Sequence, residues 1–535
     1  MMISRLSRRD FVRISGAATV APWLRGIPVH ALASETPATQ KDSQTLALCQ
    51  KLRSDPLRPQ FHLLPSHNWM NDPNGPIFYR DRYHMFHQYN PKGAIWGNMN
   101  WAHATSPDMI HWTHQPIAIS PTPGGFDQDG VFSGSAILDH GTPTMIYTGV
   151  MPPATPAEAT LRDGVHTWRE VQCLATAEDN DLRTWKKLAE PIIASPPPGL
   201  EVNGFRDPYV WREADAWMLT LGSGFKHKGG AVLLYRSTDL RHWTYLHPLV
   251  EGSSSAQSTV NAVDNGEMWE CPDFFPLGNK HVLLVSTMGK VHWKVGTYKD
   301  QRFTPEKEGV ADWGSYYAAK TMLDRDGNRI LWGWIPETRP DADLIAAGWA
   351  GVMALPRVLS LSSQNDLQMD VLPAFEKLRD PSRHTEVPSE PAARKQTLDS
   401  LRIHDLSAEI QIECRPKPDS SFTLRLQCEN GDTFASITHS NRSRGQEPPV
   451  EELQVNDVKA QTTGATTQST RLRIFLDASV LEVFANSTTA ITARVYKASA
   501  GPLRLTFEGN ADPTDLQVWQ IQPISKDRLT GSLCD

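Results

Sequence analysis

The segment RSTDLRHW, residues 236–243, has two close relatives earlier in the chain, TSPDMIHW at 105–112 and AEDNDLRTW at 177–185. A weaker copy, GTYKDQRF, ends at Phe303. The copies lie roughly 60–70 residues apart, and a repeat of that length holding several short strands is typical of a four-stranded propeller blade. The segment 55–362 then divides into five blades. We interpret the Asp-x-x-x-Trp element as a structural turn whose tryptophan packs between blades, and not as a ligand-binding element.

Short alternating strands run through the whole chain, and long helical patterns are scarce. Runs such as AWMLTLGS and HVLLVST are bounded by Gly, Pro, Asn or Asp, which indicates an all-β protein. After Leu361 the sequence becomes polar and then resumes with runs such as SAEIQIEC and FTLRLQC, which indicate a β-sandwich. The predicted fold is therefore a five-bladed β-propeller followed by a C-terminal β-sandwich, which we interpret as a packing or accessory module. The predicted regions are an export signal at 1–33, an N-terminal linker at 34–54, the catalytic propeller at 55–362, a linker with a short helix at 363–385, the sandwich at 386–525 and a tail at 526–535.

The first 33 residues are predicted to be a removable export signal. Adjacent Arg8 and Arg9 precede a weakly apolar stretch, and the small residues ALA follow at 31–33. The form SRRDFV resembles the twin-arginine signal of bacteria, which predicts a periplasmic or extracellular protein. The alternative is a cytosolic protein with a basic amphipathic start.

The composition argues against several kinds of partner. The 535 residues carry a formal net charge of −7 at pH 7 and have a mean hydropathy of −0.41, so we expect neither nucleic acid nor a membrane as a partner. Six cysteines without CxxC spacing predict neither a disulfide scaffold nor a structural zinc site. Cys414 and Cys428 are predicted to flank a hairpin, in a register that keeps their sulfur atoms apart. The sequence does not predict an oligomeric state.

Three segments place a carboxylate within three residues of an aromatic residue or an arginine and shortly before a proline. They are NDPNG with Asp72, FRDP with Asp207 and WECPD with Glu270. Each alone is typical of a turn, but three of them in different blades indicate chemistry at one end of a propeller channel. Hydrolysis of a glycosidic bond uses one ionised and one protonated carboxyl group on either side of that bond. Arg206 is expected to keep the adjacent Asp207 ionised.

Neighbouring residues predict different protonation states for the other two carboxyl groups. Glu270 lies between Trp269 and Cys271, and such apolar surroundings raise the pKa of a carboxylic acid. Asp72 lies next to Asn71 and near Asn74, whose amide groups would stabilise its ionised form.

Seven motifs, taken in order, resemble glycoside hydrolase family 32, the family of invertases, levanases and inulinases. They are WMNDPNG, QYNPKGAIWGNMNWAHATS, FSGSA, FRDP, WECPDFFPL, DWGSYYAAKT and GWAGVMALPR, spread over about residues 60–360. The later segments LRIFLDASVLEVFA and ITARVY resemble the C-terminal sandwich of the same family. The resemblance implies a five-bladed propeller with a sandwich, and a retaining mechanism on β-D-fructofuranosides that needs no metal or other cofactor.

The resemblance also implies roles for individual residues. Asp72 would be the nucleophile, Glu270 the general acid/base and Asp207 the group that stabilises the transition state. The residues at positions similar to the fructose pocket of the family are Asn71, Gln88, Trp96, Phe132, Ser133, Arg206 and Trp334. Trp332 lies two residues before Trp334 and is an alternative to it.

The expected activity is hydrolysis of sucrose and short fructo-oligosaccharides through a covalent fructosyl-aspartate. The forms WAH and WECPD resemble the plant-type invertase branch of the family. Alternatives are a fructan exo-hydrolase acting on levan or inulin, a fructosyltransferase, or an exported fructan-binding protein without catalysis. A thiol nucleophile at Cys271 is disfavoured because no histidine lies within nine residues. His87, where the family pattern often has Tyr, is interpreted as a strand histidine bonded to the backbone.

Overall fold

The computed structural model describes residues 38–254, 260–415, 417–444, 447–462, 469–499 and 501–534. Its described part is mostly β-structure, with five sheets in the first two thirds of the chain and two in the last third. The predicted export signal lies outside the described residues.

Each of the first five sheets is a propeller blade. The first contains β1 (Asn68–Tyr79), β2 (Arg82–Asn90), β3 (Asn100–Ser106) and β4 (Thr113–Ile119). The second contains β5 (Gly130–Asp139), β6 (Thr142–Met151), β7 (Leu161–Arg162), β8 (Thr167–Ala177) and β9 (Trp185–Lys187). The third contains β10 (Val202–Glu213), β11 (Ala216–Phe225), β12 (Gly229–Ser237) and β13 (Thr244–Glu251). The fourth contains β14 (Glu270–Leu277), β15 (Lys280–Thr287), β16 (Lys290–Lys299) and β17 (Arg302–Val310). The fifth contains β18 (Tyr317–Leu323), β19 (Arg329–Ile335), β21 (Val352–Met353), β22 (Arg357–Leu361) and β23 (Leu367–Val371), whereas β20 (Trp349–Ala350) joins the first blade.

The first strand of each blade lines the centre of a closed ring. Strand β1 contacts β5, β5 contacts β10, β10 contacts β14, β14 contacts β18, and β18 contacts β1. This cycle confirms the predicted five-bladed propeller. The ring is closed by hydrogen bonds as well as packing, because β20 runs parallel to β1 with Asn68 opposite Trp349 and Trp69 opposite Ala350.

The three recurrent tryptophans share one local structure. The indole N–H groups of Trp112, Trp185 and Trp243 donate to the carbonyl oxygen three residues earlier, at 3.2, 2.9 and 3.0 Å. Trp112 packs against Trp332 of the fifth blade, and Trp185 packs against Phe86 of the first. The repeated element is therefore a structural turn, and these two tryptophans pack between blades as predicted.

The last two sheets face each other as a β-sandwich, as predicted. One sheet contains β24 (Arg379–Glu386), β25 (Ser407–Arg415), β30 (Thr470–Asp477), β31 (Val480–Ala485), β32 (Thr489–Arg494) and β34 (Asp512–Ile521). The other contains β26 (Ser420–Gln427), β27 (Thr433–Arg444), β28 (Glu447–Val455), β29 (Val458–Gln461) and β33 (Arg504–Gly509). Leu424 and Ile437 of the second sheet share a buried apolar core with Ile410 and Ile474 of the first.

The hairpin predicted between Cys414 and Cys428 is wrong. Strand β25 pairs with β30 and β34, whereas β26 pairs with β27 and β33, so the two strands belong to opposite sheets. An alternating apolar pattern is the same for a hairpin and for two strands that face each other across a sandwich, which explains the error. Both cysteines are free thiols, and Cys49 is disulfide-bonded.

Two predicted linkers are regular structure instead. Residues 38–54 form helix α1 (Ala38–Ser54), which buries Leu52 and has too few apolar residues to show a helical stripe in the sequence. Within 363–385, the predicted short helix is present as the 3₁₀ helix Pro373–Leu378, but β23 completes the fifth blade, and β24 is an edge strand whose mostly exposed side chains resemble a polar tether in the sequence. The remaining helices are α2 (Asp341–Ala347), α3 (Pro391–Ser400) and α4 (Gly531–Cys534). None of the described helices is long and apolar enough to cross a membrane.

The propeller and the sandwich are joined by a buried ionic contact. Arg357 of β22 is completely buried, and its Nη2 lies 2.8 Å from Asp312 and 2.8 Å from Glu482 of β31. Phe484 of the sandwich belongs to the same apolar core as the blades beside it. A buried charge needs its partners, and separating the two domains would remove Glu482 and leave Arg357 with Asp312 alone.

Candidate active site

A cavity of about 350 Å³ opens at the centre of the ring. All ten side chains that the sequence predicts for the site line this cavity, and they come from all five blades. They are Asn71, Asp72, Gln88, Trp96, Phe132, Ser133, Arg206, Asp207, Glu270 and Trp334.

All five first strands are irregular where they reach the cavity. The pairing register shifts after Met70 in β1, Phe132 in β5, Arg206 in β10, Glu270 in β14 and Tyr317 in β18. A β-bulge at such a shift bends the strand and re-aims its side chains. Five bulges in equivalent places therefore turn side chains from five different blades towards one point.

Three of these bulges carry backbone strain. Asp207, Cys271 and Ala318, each directly after a shift position, have φ values of 65°, 49° and 53°. Non-glycine residues adopt this left-handed region at a cost, and such strain clusters at functional sites.

Asp72 is buried, and both oxygens of its carboxylate accept hydrogen bonds. Asn71 Nδ2 donates to Oδ1 at 2.9 Å, and Ser133 Oγ donates to Oδ2 at 2.7 Å. Donors of this kind stabilise a carboxylate and hold it in one orientation. Asn74 does not contribute as predicted, because its Oδ1 accepts the Gly134 N–H at 3.2 Å.

Arg206 joins two carboxylates beneath the cavity. Its Nη2 and Nε lie 2.8 and 3.1 Å from Glu270 Oε1, and its Nη1 lies 2.8 Å from Glu170 Oε1. Burial disfavours the guanidinium charge, but Glu170 and Glu270 outweigh burial and raise the pKa of Arg206 well above its ordinary value. The Tyr317 hydroxyl donates to the other oxygen, Glu270 Oε2, at 2.7 Å.

The apolar surroundings predicted for Glu270 are wrong in part. The ring of Trp269 packs against Gly230 and Gly252 of the third blade, away from the carboxyl group. The contacts of Glu270 that the structure shows are polar, with Arg206 on one oxygen and a tyrosine on the other. The raised pKa of Glu270 stays a prediction.

Asp207 is held by the segment that follows Glu270. Its Oδ2 accepts the Cys271 N–H at 2.9 Å, and Cys271 Sγ lies 3.5 Å from the same oxygen. Burial raises the pKa of Asp207 to about 6, with Arg206 opposing and the Glu270 carboxylate adding to the increase. Arg206 lowers the pKa of Asp207, as expected for an adjacent cation, but burial outweighs its effect.

The Cys271 thiol acts as a donor between two carboxylates. Its Sγ lies 3.7 Å from Asp72 Oδ2 as well as 3.5 Å from Asp207. Burial, followed by the charges of Asp207 and Asp72, raises its pKa well above the ordinary value. The thiol therefore stays protonated, which contradicts a nucleophilic role.

His87 lies behind the cavity wall. Its Nδ1 lies 3.1 Å from the carbonyl oxygen of Gln88, so the interpretation as a backbone-bonded strand histidine is correct. Gln88 in turn donates from Nε2 to the Val131 carbonyl at 2.9 Å, which fixes its side chain at the cavity.

Aromatic rings form one side of the cavity mouth. Trp96 contacts Phe132 at 6.0 Å between ring centroids and Trp168 at 6.2 Å, and Trp168 stacks on His166 at 4.1 Å. Rings of this kind offer flat apolar faces to a sugar. Trp334 of the fifth blade also lines the cavity.

The alternative Trp332 does not belong to the site. It is buried between the first and fifth blades against Trp112 and is not among the residues that line the cavity. Trp334 instead packs against Trp69, with 5.8 Å between ring centroids.

Two family models cover nearly all of the described chain. Residues 62–370 match the model described as the N-terminal domain of glycosyl hydrolases family 32, and residues 374–520 match its C-terminal domain. The chain belongs to glycosyl hydrolase family 32. This family 32 protein is a glycosidase.

Relatives with known names and structures agree with this membership. The family 32 chain is 35% identical to a protein named sucrose-6-phosphate hydrolase from Escherichia coli, over 84% of this chain and 92% of that protein. It is 33% identical to an acid beta-fructofuranosidase of Vigna radiata, over 87% of this chain and 80% of that protein. A solved structure of fructan 1-exohydrolase IIa from Cichorium intybus, with 1-kestose bound, superposes with a TM-score of 0.73 at 25% identity, covering 88% and 98% of the two chains.

Four residues of this family 32 site were missed from the sequence. Glu170 holds Arg206, Tyr317 contacts Glu270, Trp168 extends the aromatic mouth, and Glu337 lines the wall. Tyr317 lies in the DWGSYYAAKT motif quoted above. The alternation of side-chain direction along a strand, applied to the two tyrosines of this motif, was the signal that the sequence offered. Glu170 and Trp168 lie in β8 outside every quoted motif, and nothing local marks them.

One group of contacts ties the cavity wall to the sandwich. Glu337 Oε1 accepts from Arg494 Nη2 at 2.9 Å, and its Oε2 accepts from Arg339 Nε at 3.0 Å and from the Tyr496 hydroxyl. Because Arg494 and Tyr496 belong to the sandwich, that domain packs against the cavity wall and supports it, in agreement with the interpretation as a packing module. Among the described residues, no group of three His, Cys, Asp or Glu side chains is placed to hold a metal ion.

Proposed function

We propose that this family 32 glycosidase is a retaining β-fructofuranosidase that releases terminal fructose from sucrose and short fructo-oligosaccharides. The observation that carries the proposal is the meeting of Asp72, Asp207 and Glu270 in one cavity with three different sets of partners. Asp72 is held by two donors, Asp207 by a backbone N–H, and Glu270 by Arg206 and Tyr317.

The first half of the reaction breaks the glycosidic bond. Glu270 donates a proton to the leaving oxygen while Asp72 attacks the anomeric carbon of fructose, and the leaving group departs as an alcohol. Asn71 and Ser133 hold the Asp72 carboxylate at a fixed position, so little reorganisation accompanies attack.

The second half releases fructose. Glu270, now ionised, removes a proton from water, and the hydroxide formed attacks the fructosyl carbon and frees the Asp72 carboxylate. Asp207 accepts hydrogen bonds from fructose hydroxyls, which strengthen as positive charge develops on the ring.

The relatives support the substrate class. Those named above carry the names sucrose-6-phosphate hydrolase, acid beta-fructofuranosidase and fructan 1-exohydrolase, and each name describes removal of fructose or cleavage of a sucrose derivative. These names are also compatible with a fructan exo-hydrolase, and the same chemistry is compatible with a fructosyltransferase. Both are alternatives within the proposal.

Product analysis tests the proposal and separates these alternatives. We expect equal free glucose and fructose from sucrose at low and high concentration, and slower release of fructose from inulin and levan. Fructose that lags behind glucose would indicate transfer. Faster turnover of levan or inulin than of sucrose would indicate an exo-hydrolase. No reducing sugar between about pH 4 and 7 would contradict catalysis and favour a binding protein.

We also propose that residues 1–33 direct export. The support is the SRRDFV sequence and the disulfide at Cys49, a bond that persists in oxidising compartments. Fractionation of expressing cells should place the mature protein outside the cytoplasm, and replacement of Arg8 and Arg9 by Lys should retain it inside. Equal distribution of the parent and variant proteins would contradict the proposal.

A further inference from the structure

We infer that the enzyme selects unphosphorylated substrates and discriminates against sucrose 6-phosphate, whose leaving group carries a dianion. The inference rests on the proposed function and narrows its substrate class. It departs from the name of the relative from Escherichia coli, which is sucrose-6-phosphate hydrolase.

Carboxylic acids outnumber cationic side chains among the described residues that line the cavity, even though Glu270 and Glu337 are bound by arginines. Among the described lining residues there are six carboxylic acids and one arginine, and there is no lysine. The acids are Asp72, Asp163, Asp207, Asp264, Glu270 and Glu337. Carboxylates accept hydrogen bonds from sugar hydroxyls but repel a phosphate.

The one arginine among the described lining residues is already bound to two carboxylates. Arg206 is 4% exposed, and its guanidinium contacts Glu170 and Glu270 on separate nitrogens. A phosphate would have to displace one of these carboxylates to reach it, and would lose more than it gained.

The lysine and arginine side chains just behind the cavity wall are also bound to carbonyl or carboxylate groups of the protein. Lys320 is buried with Nζ 3.0 Å from the Pro272 carbonyl, and Lys290 contacts the carbonyl oxygens of Trp313 and Gly314. Arg339 and Arg494 both bind Glu337.

At the mouth of the cavity, a carboxylate and an apolar side chain again line the wall. The hairpin between β7 and β8 contributes Asp163, whose Oδ2 lies 3.2 Å from His166 Nδ1, and the exposed Val165. The bond to His166 helps to hold the pKa of Asp163 at about 2 against the effect of burial, so this carboxylate stays charged at working pH. A leaving group that lies beside this hairpin would contact the charged Asp163 carboxylate and the apolar aromatic rings of the mouth.

The deciding experiment compares kcat/KM for sucrose and sucrose 6-phosphate at about pH 7 and low ionic strength. Like charges in a binding site cost several kcal/mol, so we expect the phosphorylated substrate to be at least about 100-fold poorer. A value for sucrose 6-phosphate equal to or above that for sucrose would overturn the inference. If neither sugar is cleaved, the proposed function fails, and calorimetric Kd values decide the inference alone: tighter binding of sucrose 6-phosphate overturns it.

A charge added at the mouth provides a second test. Val165→Arg places a free cation on the hairpin, and Leu138→Arg places one at a similarly exposed apolar position that does not line the cavity. We expect Val165→Arg to raise the ratio of sucrose 6-phosphate to sucrose activity by about 10-fold, an increase that salt removes, and Leu138→Arg to leave the ratio unchanged. An unchanged ratio in Val165→Arg would show that charge does not set the preference.

Discussion

The hydroxyl of Tyr317 donates a hydrogen bond to Glu270 Oε2 at 2.7 Å, while Arg206 occupies the opposite oxygen of the same carboxyl group. The proposed acid/base is thus fixed from both sides by residues of two other blades. A group that must give and then take a proton at one place benefits from such restraint.

Replacing Tyr317 by Phe should lower kcat for sucrose by about 10–100-fold, because a hydrogen bond to a charged group is worth about 1.5–3 kcal/mol. Tyr316→Phe is a matched control, since the Tyr316 hydroxyl is buried and has no hydrogen-bond partner in the described structure. Steady-state kinetics on both variants would check the prediction. Equal losses in the two would assign the effect to packing.

Replacing Asp72 by Asn should reduce kcat by at least about 10⁴-fold while the protein remains folded, because the amide cannot form the covalent intermediate. Asn at this position keeps an oxygen for the Ser133 hydroxyl, 2.7 Å away in the parent. Turnover is measured with sucrose, and folding by near-ultraviolet circular dichroism. A variant that still releases fructose at the parent rate would place the nucleophile elsewhere.

Replacing Asp207 by Asn should abolish most activity and stabilise the fold above about pH 6. The parent carboxyl has its pKa raised from 3.8 to about 6 on folding, so the native state binds the extra proton and loses stability as pH rises from about 4 to 6. The amide removes that loss, which we expect to be on the order of 1–3 kcal/mol at pH 7.5, and can still accept the Cys271 N–H.

Urea unfolding at pH 4.5 and 7.5 would measure this effect of Asp207→Asn. Asp163→Asn should instead lower stability by a similar amount at both pH values, since the pKa of Asp163 is lowered to about 2 and its ionised form favours the native state throughout this range. A gain in stability that is the same at both pH values would contradict the linkage.

Acid should weaken the fold through buried histidines. Burial lowers the pKa of His84 and His87 to about 4 and of His114 to about 3, so the unfolded chain binds more protons below about pH 6.5. Stability is full above that pH and falls as pH drops to 4. His87→Gln should reduce the fall, whereas His140→Gln, with a ring 93% exposed, should not. Unfolding curves between pH 7 and 4.5 would show equal slopes if the histidines were irrelevant.

Trp168→Ala should raise KM for sucrose about 10-fold and leave kcat within about threefold, since the ring lies at the mouth and contacts none of the three carboxylates in the structure. Trp168→Phe should recover part of the loss because it keeps an aromatic face. A change confined to kcat would assign Trp168 to the chemistry instead.

Much of the architecture follows from local patterns. The turns ending at Trp112, Trp185 and Trp243 and the alternating strands predict the blades, because turn geometry and strand alternation depend on near neighbours in sequence. The errors occur where polar surface strands resemble linkers, as in β24, and where strand pairing is non-local, as around Cys414. Those features depend on which sheet a strand joins.

The site shows the same division between local and non-local information. The motifs identified ten residues that line the cavity, but they did not show that Arg206 binds Glu170 and Glu270 or that burial outweighs its effect on Asp207. The partner of a long side chain depends on how blades are placed around the ring. The pKa of Asp207 follows from that placement, and no pattern within FRDP contains it.

The short pairing of β20 with β1 has a consequence for how the enzyme is made. Gly351, with φ of 83°, comes so close that an added Cβ would lie 1.9 Å from the Met70 carbonyl oxygen, two residues from Asp72. The strand bearing Asp72 therefore leaves the ribosome almost 300 residues before its neighbour in the finished ring, and Arg494 and Tyr496 follow later still. A nascent chain that ends between Glu270 and Trp349 holds every catalytic carboxylate and still lacks a working cavity, so activity begins only once synthesis is nearly complete.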